Sequence, residues 1–206
     1  MKMNEMIKSF PDQIIDQFEN LSSLQLTQDK FSKVNNIVVA GMGGSAISGD
    51  LIKLFLKNEI DIPITVLRDY SIPNWTNENT LFILSSYSGN TEETLSCFSL
   101  AVLKSKKVIS ITTGGSLENE SLKHEVPVVK IPKGFQPRAA LGFSLISLLC
   151  VFNKINILNS SFIDKFIDAT KSLYQYMDEF CKEGGLAESI AKDINNSIIA
   201  IYGVEN

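Results

Sequence analysis

Three hydroxyl side chains, Ser86, Ser88 and Thr91, surround Gly89 and Asn90 in the stretch ILSSYSGNTEET (83–94), which lies between an apolar run and a helical pattern. Hydroxyls at a strand-to-helix turn suit an anion, because the first N–H groups of a helix lack intrahelical partners and the helix dipole is positive there. A lysine-bearing phosphate loop of the GxxxxGK[ST] kind carries its own cation; this stretch carries none and offers no evident Mg²⁺ ligand. A monoester such as a sugar phosphate therefore suits it better than a triphosphate. Ordinary capping is the competing reading, with Ser88 or Asn90 as the cap and Glu92 and Glu93 complementing the dipole. The hydroxyls outnumber what one cap needs.

A second turn, VVAGMGGSAISGDL (38–51), contains Gly41-x-Gly43-x-x-Ala46, which fits the dinucleotide fingerprint in its alanine form. Arg68-Asp69 supplies an acid where that fingerprint wants one, at the end of the next strand, so an NAD or NADP site stays open from this stretch alone. Against it, Gly43, Gly44 and Ser45 let a backbone approach a small ligand and present one hydroxyl, and a dinucleotide has no need of the second anion site. A third stretch, QPRAALGFSL (136–145), sets Arg138 just after Pro137, where it either faces the site or reaches solvent from a helix start.

These residues need elements to hold them. Short β-branched runs recur at NIVVAG (36–41), ITVL (64–67), LFILSS (81–86), KVISIT (107–112) and VPVVKI (126–131), with helix-compatible stretches between most of them, notably 46–57 and 90–104. That alternation predicts an α/β fold around a buried parallel sheet, whose ligands sit outside the carboxyl ends of the strands. Both glycine-and-serine turns fall on that edge. Before the first strand, apolar residues at Met3, Met6, Ile7 and Phe10, then Ile14, Ile15, Phe18 and Leu21, predict one or two amphipathic helices interrupted at Pro11. Beyond QPRAALGFSL the pattern is helical, and Phe162, Ile163, Phe166, Ile167, Leu173, Tyr174, Met177 and Phe180 form a stripe expected to pack in the core. Gly184 and Gly185 break that helix and a shorter one follows. INNSIIAIYG (194–203) echoes VNNIVVAG (34–41), as if a second unit were starting. The expected organisation is a helical lead-in over 1–33, a first domain over 34–155, a helical connection over 156–196, and the start of a second α/β domain over 197–206. The rest of a two-domain protein is expected beyond residue 206.

Composition narrows the partners. The 206 residues are 44% hydrophobic and 20% charged, enough for a sizeable core. With a net charge of -4 and no block of lysine or arginine, neither nucleic acid nor an anionic membrane surface is expected. No stretch approaches ~18 apolar residues, so no membrane span is expected. Cys97, Cys150 and Cys181 are widely spaced without a CxxC, and no apolar leader precedes the first helix; buried thiols in a reducing cytoplasm are expected. One histidine, His124, and no cysteine or histidine cluster predict no zinc site.

Taken together and in order, GMGGSAISGDL (41–51), SSYSGNTEETL (85–95) and QPRAALGFSL resemble the sugar isomerase (SIS) domain family, in particular its bifunctional phosphoglucose/phosphomannose isomerase type. The resemblance covers roughly residues 35 to 203. It implies a doubly wound five-stranded parallel sheet flanked by helices, a two-domain protomer, and a homodimer with active sites near the subunit interface. It also implies roles. Ser86, Ser88 and Thr91 match hydroxyls that hold a sugar 6-phosphate, Gly44 and Ser45 match the backbone and hydroxyl that meet the sugar, and Arg138 matches an arginine facing the reacting carbons. A fixed cation there stabilises charge on an enediolate. In the family the proton-moving base is a glutamate of the second domain, assisted by a histidine from the same later region; this sequence stops before both. Glu92 and Glu93, kept ionised by a helix dipole, are not taken as the base, and His124 is taken as a surface residue. The resulting expectation is an aldose-ketose isomerase that interconverts glucose 6-phosphate or mannose 6-phosphate with fructose 6-phosphate, with half of its site in this chain. A non-catalytic sugar-phosphate-binding module is the alternative, and a dinucleotide-binding domain a lesser one.

Overall fold

A computed structural model describes residues 1–195 and 197–202 of the chain. The β-branched runs become β1 (Asn36–Gly41), β2 (Ile64–Leu67), β3 (Thr80–Ser86), β4 (Val108–Thr112) and β5 (Val128–Lys130). All pair in parallel, in the order β2-β1-β3-β4-β5. β1, β3 and β4 are apolar on both faces because both faces are covered. On one face Val38, Ala40, Phe82, Leu84 and Val108 meet Cys97, Phe98 and Ala101 of α4 (Glu92–Lys104) and Leu117 of α5 (Gly115–Lys123). On the other, Ile37, Val39, Leu81, Ile83, Ile109 and Ile111 meet Ile52 of α3 (Gly44–Phe55) and Ile146 and Leu149 of α6 (Leu141–Lys154). The winding is thus double.

Strand order reverses between β1 and β3. From β1 the chain passes through α3 to β2 at the edge, then recrosses β1 to reach β3 by residues 68–79, which contain no helix. The carboxyl ends of β1 and β3 therefore diverge into a crevice, with Gly41 level with Ser85 across the ladder. Both candidate turns open at that crevice.

A second helical layer lies outside α6. α1 (Met3–Lys8) and α2 (Phe10–Asn20) form a hairpin, and α2 packs on α6 and on α7 (Ser160–Phe180). The interruption expected at Pro11 is the break at Ser9 between these two helices, and Pro11 itself sits in the first turn of α2, where a missing N–H costs nothing. α8 (Leu186–Asp193) follows.

Two expectations need correction. The α7 stripe is core only in its first half: Ile163 is buried, but Tyr174 and Phe180 are 41% and 50% exposed. With 21 residues against 14 in α6, α7 runs on past its neighbour. Its second half is tied instead to the hairpin, by Tyr174 Oη donating to Asp12 at 2.8 Å and by the Lys8–Asp178 ion pair. Cys97 and Cys150 are buried as expected, whereas Cys181, just past the end of α7, is exposed. Residues 197–202, where the start of a second domain is expected, lie in no strand among the described residues, and Ile198, Ile201 and Tyr202 are more than nine-tenths exposed. Residues 196 and 203–206 of that run lie outside the described residues. No helix among the described residues is long and apolar enough to cross a membrane.

Candidate functional site

β3 ends in Ser86, which is 2% exposed, and the chain then curls back on itself. Ser86 Oγ accepts from Gly89 N at 3.1 Å and shares a 2.8 Å hydrogen bond with Thr91 Oγ1. Ser88 Oγ, at the exposed tip, accepts from Asn90 N at 3.1 Å. Gly89 has φ +72°, and a Cβ there would stand 1.7 Å from the Gly114 carbonyl oxygen, so the loop admits no side chain at this position.

The capping reading fails on inspection of α4. Thr91 is its N-cap residue, yet no side chain caps the helix. Asn90 instead serves the neighbouring helix, its Oδ1 accepting from Ser116 N of α5 at 3.0 Å, beside Gly89 O, which accepts from Leu117 N at 2.8 Å. The hydroxyl protons can be counted. Each hydroxyl has one proton to donate, so whichever way the Ser86–Thr91 bond runs, one of that pair is left free, and so is that of Ser88. Two hydroxyl protons without a partner among the described residues thus stand at the positive end of a helix that lacks a side-chain cap, where an anion is favoured. In the same first turn the buried Thr94 Oγ1 has no partner among the described residues.

The glycine turn is shaped by what approaches it. Gly41 closes β1 where a Cβ would meet Ser85 O at 2.8 Å, and Gly43, at φ +51°, precedes α3 without a side-chain cap. A Cβ on Gly44 would stand 2.9 Å from Pro137 O and 3.7 Å from Arg138 Cα. The fold thereby sets Gly44 directly against the segment that carries Arg138, a 3₁₀ turn over Pro137–Ala139. Ser45, in the first turn of α3, is 8% exposed. Arg138 is exposed and makes no ion pair among the described residues. Tyr87, between the two loop serines, binds the same segment: its hydroxyl donates to Pro132 O and accepts from Phe135 N, each at 3.0 Å. Burial holds that phenol above its ordinary pKa.

Gly44, Ser45 and Arg138 thus gather at the end of β1, and Ser86, Ser88 and Thr91 at the adjacent end of β3. Three groups were missed from the sequence. Lys133, in the same segment as Arg138, places Nζ 3.4 Å from where a Gly114 Cβ would be, the same distance as Glu118 Oε2, so an ammonium and a carboxylate stand together beside the Gly114 turn that abuts the serine loop. Its nearness to Arg138 in sequence was the available signal. Gln13 and Tyr87 gave no signal at all, because each acts on backbone distant in sequence.

The other candidates lie elsewhere or are occupied. Arg68 pairs with Asp50, and Asp69 Oδ1 accepts from Tyr70 N, Ser71 N and Ser71 Oγ, so the acid of the dinucleotide reading is spent on its own turn. Glu92 and Glu93 lie in the first turn of α4, and the Glu93 carboxylate, ahead of burial and Glu92, raises the Tyr70 phenol above its ordinary pKa. His124 is the exposed C-cap of α5, set edge-on to Phe98. Two concavities of about 630 and 590 Å³, lined by Asn153–Ser160 and by Asp50–Ile64, belong to the amino edge of the sheet, opposite the loops.

Residues 30–152 match the SIS domain family. Over 207 aligned positions the chain is 38% identical to the bifunctional phosphoglucose/phosphomannose isomerase of Caldicellulosiruptor bescii, an alignment covering 98% of this chain and 60% of that one. The chain therefore spans 60% of the length of that curated relative. Among solved structures, the C-terminal domain of glucosamine-fructose-6-phosphate aminotransferase from Francisella tularensis superposes with a TM-score of 0.65 at 17% identity, covering 84% of this chain and 53% of that one. Tagatose-6-phosphate ketose/aldose isomerase from Escherichia coli gives 0.63 at 19%, covering 94% and 53%. At such identities these two structures speak to the fold alone. The sequence match takes in the whole sheet and both glycine-and-serine turns, and on it the chain belongs to the SIS domain family.

Proposed function

We propose that this chain supplies the sugar-phosphate half of an aldose-ketose isomerase that interconverts glucose 6-phosphate or mannose 6-phosphate with fructose 6-phosphate. The observation that carries the reading is the amino end of α4: four capping-type residues, Ser86, Ser88, Asn90 and Thr91, precede it and none caps it. The 6-phosphate accepts from the free hydroxyl protons and the first-turn amides, and binding energy gained there orients the rest of the sugar. The sugar then extends across Gly44 and Ser45 toward Arg138. As a base moves the proton between the first two carbons, charge develops on their oxygens as an enediolate, and the guanidinium is placed to stabilise it. The base and the ring-opening group belong, in this reading, to the part of the protein matching the remaining length of the curated relative. No cofactor takes part. A homodimer working in cytoplasmic carbohydrate metabolism, in glycolysis and gluconeogenesis, belongs to the same reading.

Calorimetric titration of the chain with fructose 6-phosphate, inorganic phosphate and fructose tests the site. The first two should bind and fructose should not; equal binding of fructose and fructose 6-phosphate would overturn it. A second reading, a sugar-phosphate-sensing module without turnover, is favoured by one observation: Glu93 and Glu92, the carboxylates that follow the loop, lie against the Tyr70 phenol, whose pKa they raise. A coupled assay of the full-length gene product separates the two readings.

A further inference from the structure

Arg138 lies on a ten-residue connection between β5 and α6 that has only its own short 3₁₀ turn for local structure, with Ala139 N donating to Gln136 O at 2.8 Å. A loop of that kind holds a side chain only as well as the scaffold holds the loop. The scaffold here is α2. Gln13, 1% exposed, donates through Nε2 to Ala139 O at 2.8 Å and to Met6 O at 3.0 Å, and accepts through Oε1 from Gly142 N at 3.2 Å. One buried amide thus grips the chain immediately after Arg138 and again at the start of α6. Gly142 is adapted to that grip, since a Cβ there would stand 2.9 Å from Gln13 Cβ. Gln17, one turn on and equally buried, binds elsewhere. It donates to Lys130 O at 2.9 Å and Ser147 Oγ at 3.1 Å, joining β5 to α6 without touching the Arg138 turn.

We propose that Gln13 is a positioning residue for Arg138, an inference that rests on the role given to Arg138 above. α2 lies outside residues 30–152, which match the family, so in this protein a residue outside the family's domain sets the geometry of the site. A glutamine suits this position because its neutral amide offers donors and an acceptor together, as a carbonyl and an N–H on one loop demand.

The test compares two probes by calorimetric titration of the chain. One is the 5-phosphate of a five-carbon aldonic acid, whose carboxylate imitates the enediolate; the other is inorganic phosphate, which reports the serine loop alone. Gln13→Met should weaken the sugar-acid phosphate about tenfold and inorganic phosphate less than about twofold. Gln17→Met, with a comparable loss of buried bonds, should lower the melting temperature without changing the ratio of the two affinities. Added to Arg138→Ala, Gln13→Met should bring no further loss, because the residue it positions is gone. If Arg138→Ala leaves sugar-acid binding unchanged, the reading of the site fails and this inference with it. If Arg138→Ala weakens that binding and Gln13→Met does not, or if Gln17→Met shifts the ratio equally, the inference alone fails. Should Gln13→Met not fold, Gln13→Glu carries the test: its protonated form can donate to Ala139 O and accept from Gly142 N, whereas its carboxylate can only accept and leaves Ala139 O without a donor. Sugar-acid affinity relative to wild type should then rise as pH falls from about 8 to about 5, and a flat ratio overturns the inference.

Discussion

A methyl group at Gly89 would stand 1.7 Å from the Gly114 carbonyl and would hold an L-residue at φ +72°, so Gly89→Ala combines overpacking with backbone strain. A loss of stability above about 3 kcal/mol is expected in denaturant unfolding, with loss of phosphate binding. Ser88 is the opposite case. It is exposed and accepts one bond, from Asn90 N, so Ser88→Ala should barely move the melting temperature. In the bound state it loses a charge-assisted hydrogen bond of about 1.5–3 kcal/mol, and affinity for fructose 6-phosphate should fall about ten- to a hundredfold. A mutant that melts several degrees lower yet binds phosphate normally would return the loop to a purely structural role. Arg138→Lys, in the full-length gene product, should lower kcat more than it raises KM, because a planar guanidinium serves the two enediolate oxygens as a point charge cannot. A change confined to KM would make Arg138 a ground-state binding residue.

Among the elements, α7 has the most conditional attachment. Its second half is held to the hairpin by Tyr174, whose phenol the hydrogen bond to Asp12, then burial and that carboxylate's charge, push up to about 12. A raised folded pKa contributes stability that is complete below the unfolded value, about 10, and is lost as pH rises through the folded one. Wild type should therefore exceed Tyr174→Phe in unfolding free energy below about pH 10, with the gap closing toward pH 12. A gap that stays constant across that window would show that the hydroxyl bond is not what docks α7. α4 and α5 are joined differently, through Asn90, which lends its side chain to α5 and leaves α4 open to a ligand.

At the scale of the whole molecule, the reversal of strand order makes the site. β2 and β3 leave β1 on opposite sides, so the glycine turn and the serine loop, 45 residues apart from Gly41 to Ser86, begin on adjacent strand ends. The Arg138 connection then returns over the same edge and is pinned by Tyr87, Gly44 and Gln13. On the proposed reading, in which the base lies outside residues 1–206, the chain alone is expected to bind fructose 6-phosphate weakly without isomerising it. A coupled assay showing the 206-residue chain turning over as fast as the full-length gene product would overturn that division of labour.

Periodicity sufficed for the sheet. β1 and β2 stand where their β-branched runs are: β1 because a strand buried on both faces must be apolar throughout, β2, a half-buried edge strand, because β-branched residues suit a pleated surface, and both compositions are legible locally. That the serine loop stands at a strand's carboxyl end was equally legible, its use as a cap or as an anion site was not, and resemblance supplied the roles for which Arg138, Gly44 and Ser45 stand as candidates. Whether Asn90 caps α4 or α5 was not legible, because the choice depends on where β4 delivers the second helix. Lys133 beside the Gly114 turn, Tyr87 on Pro132 and Phe135, and Gln13 on Ala139 join residues 19, 45 to 48 and 126 positions apart in the chain. The second half of the α7 stripe misled for the same reason: an apolar period shows that a helix has a face to bury, and only the length of its neighbours decides how much of that face is buried. Local composition can state what a backbone segment needs; which distant side chain meets the need is settled only when the chain is folded.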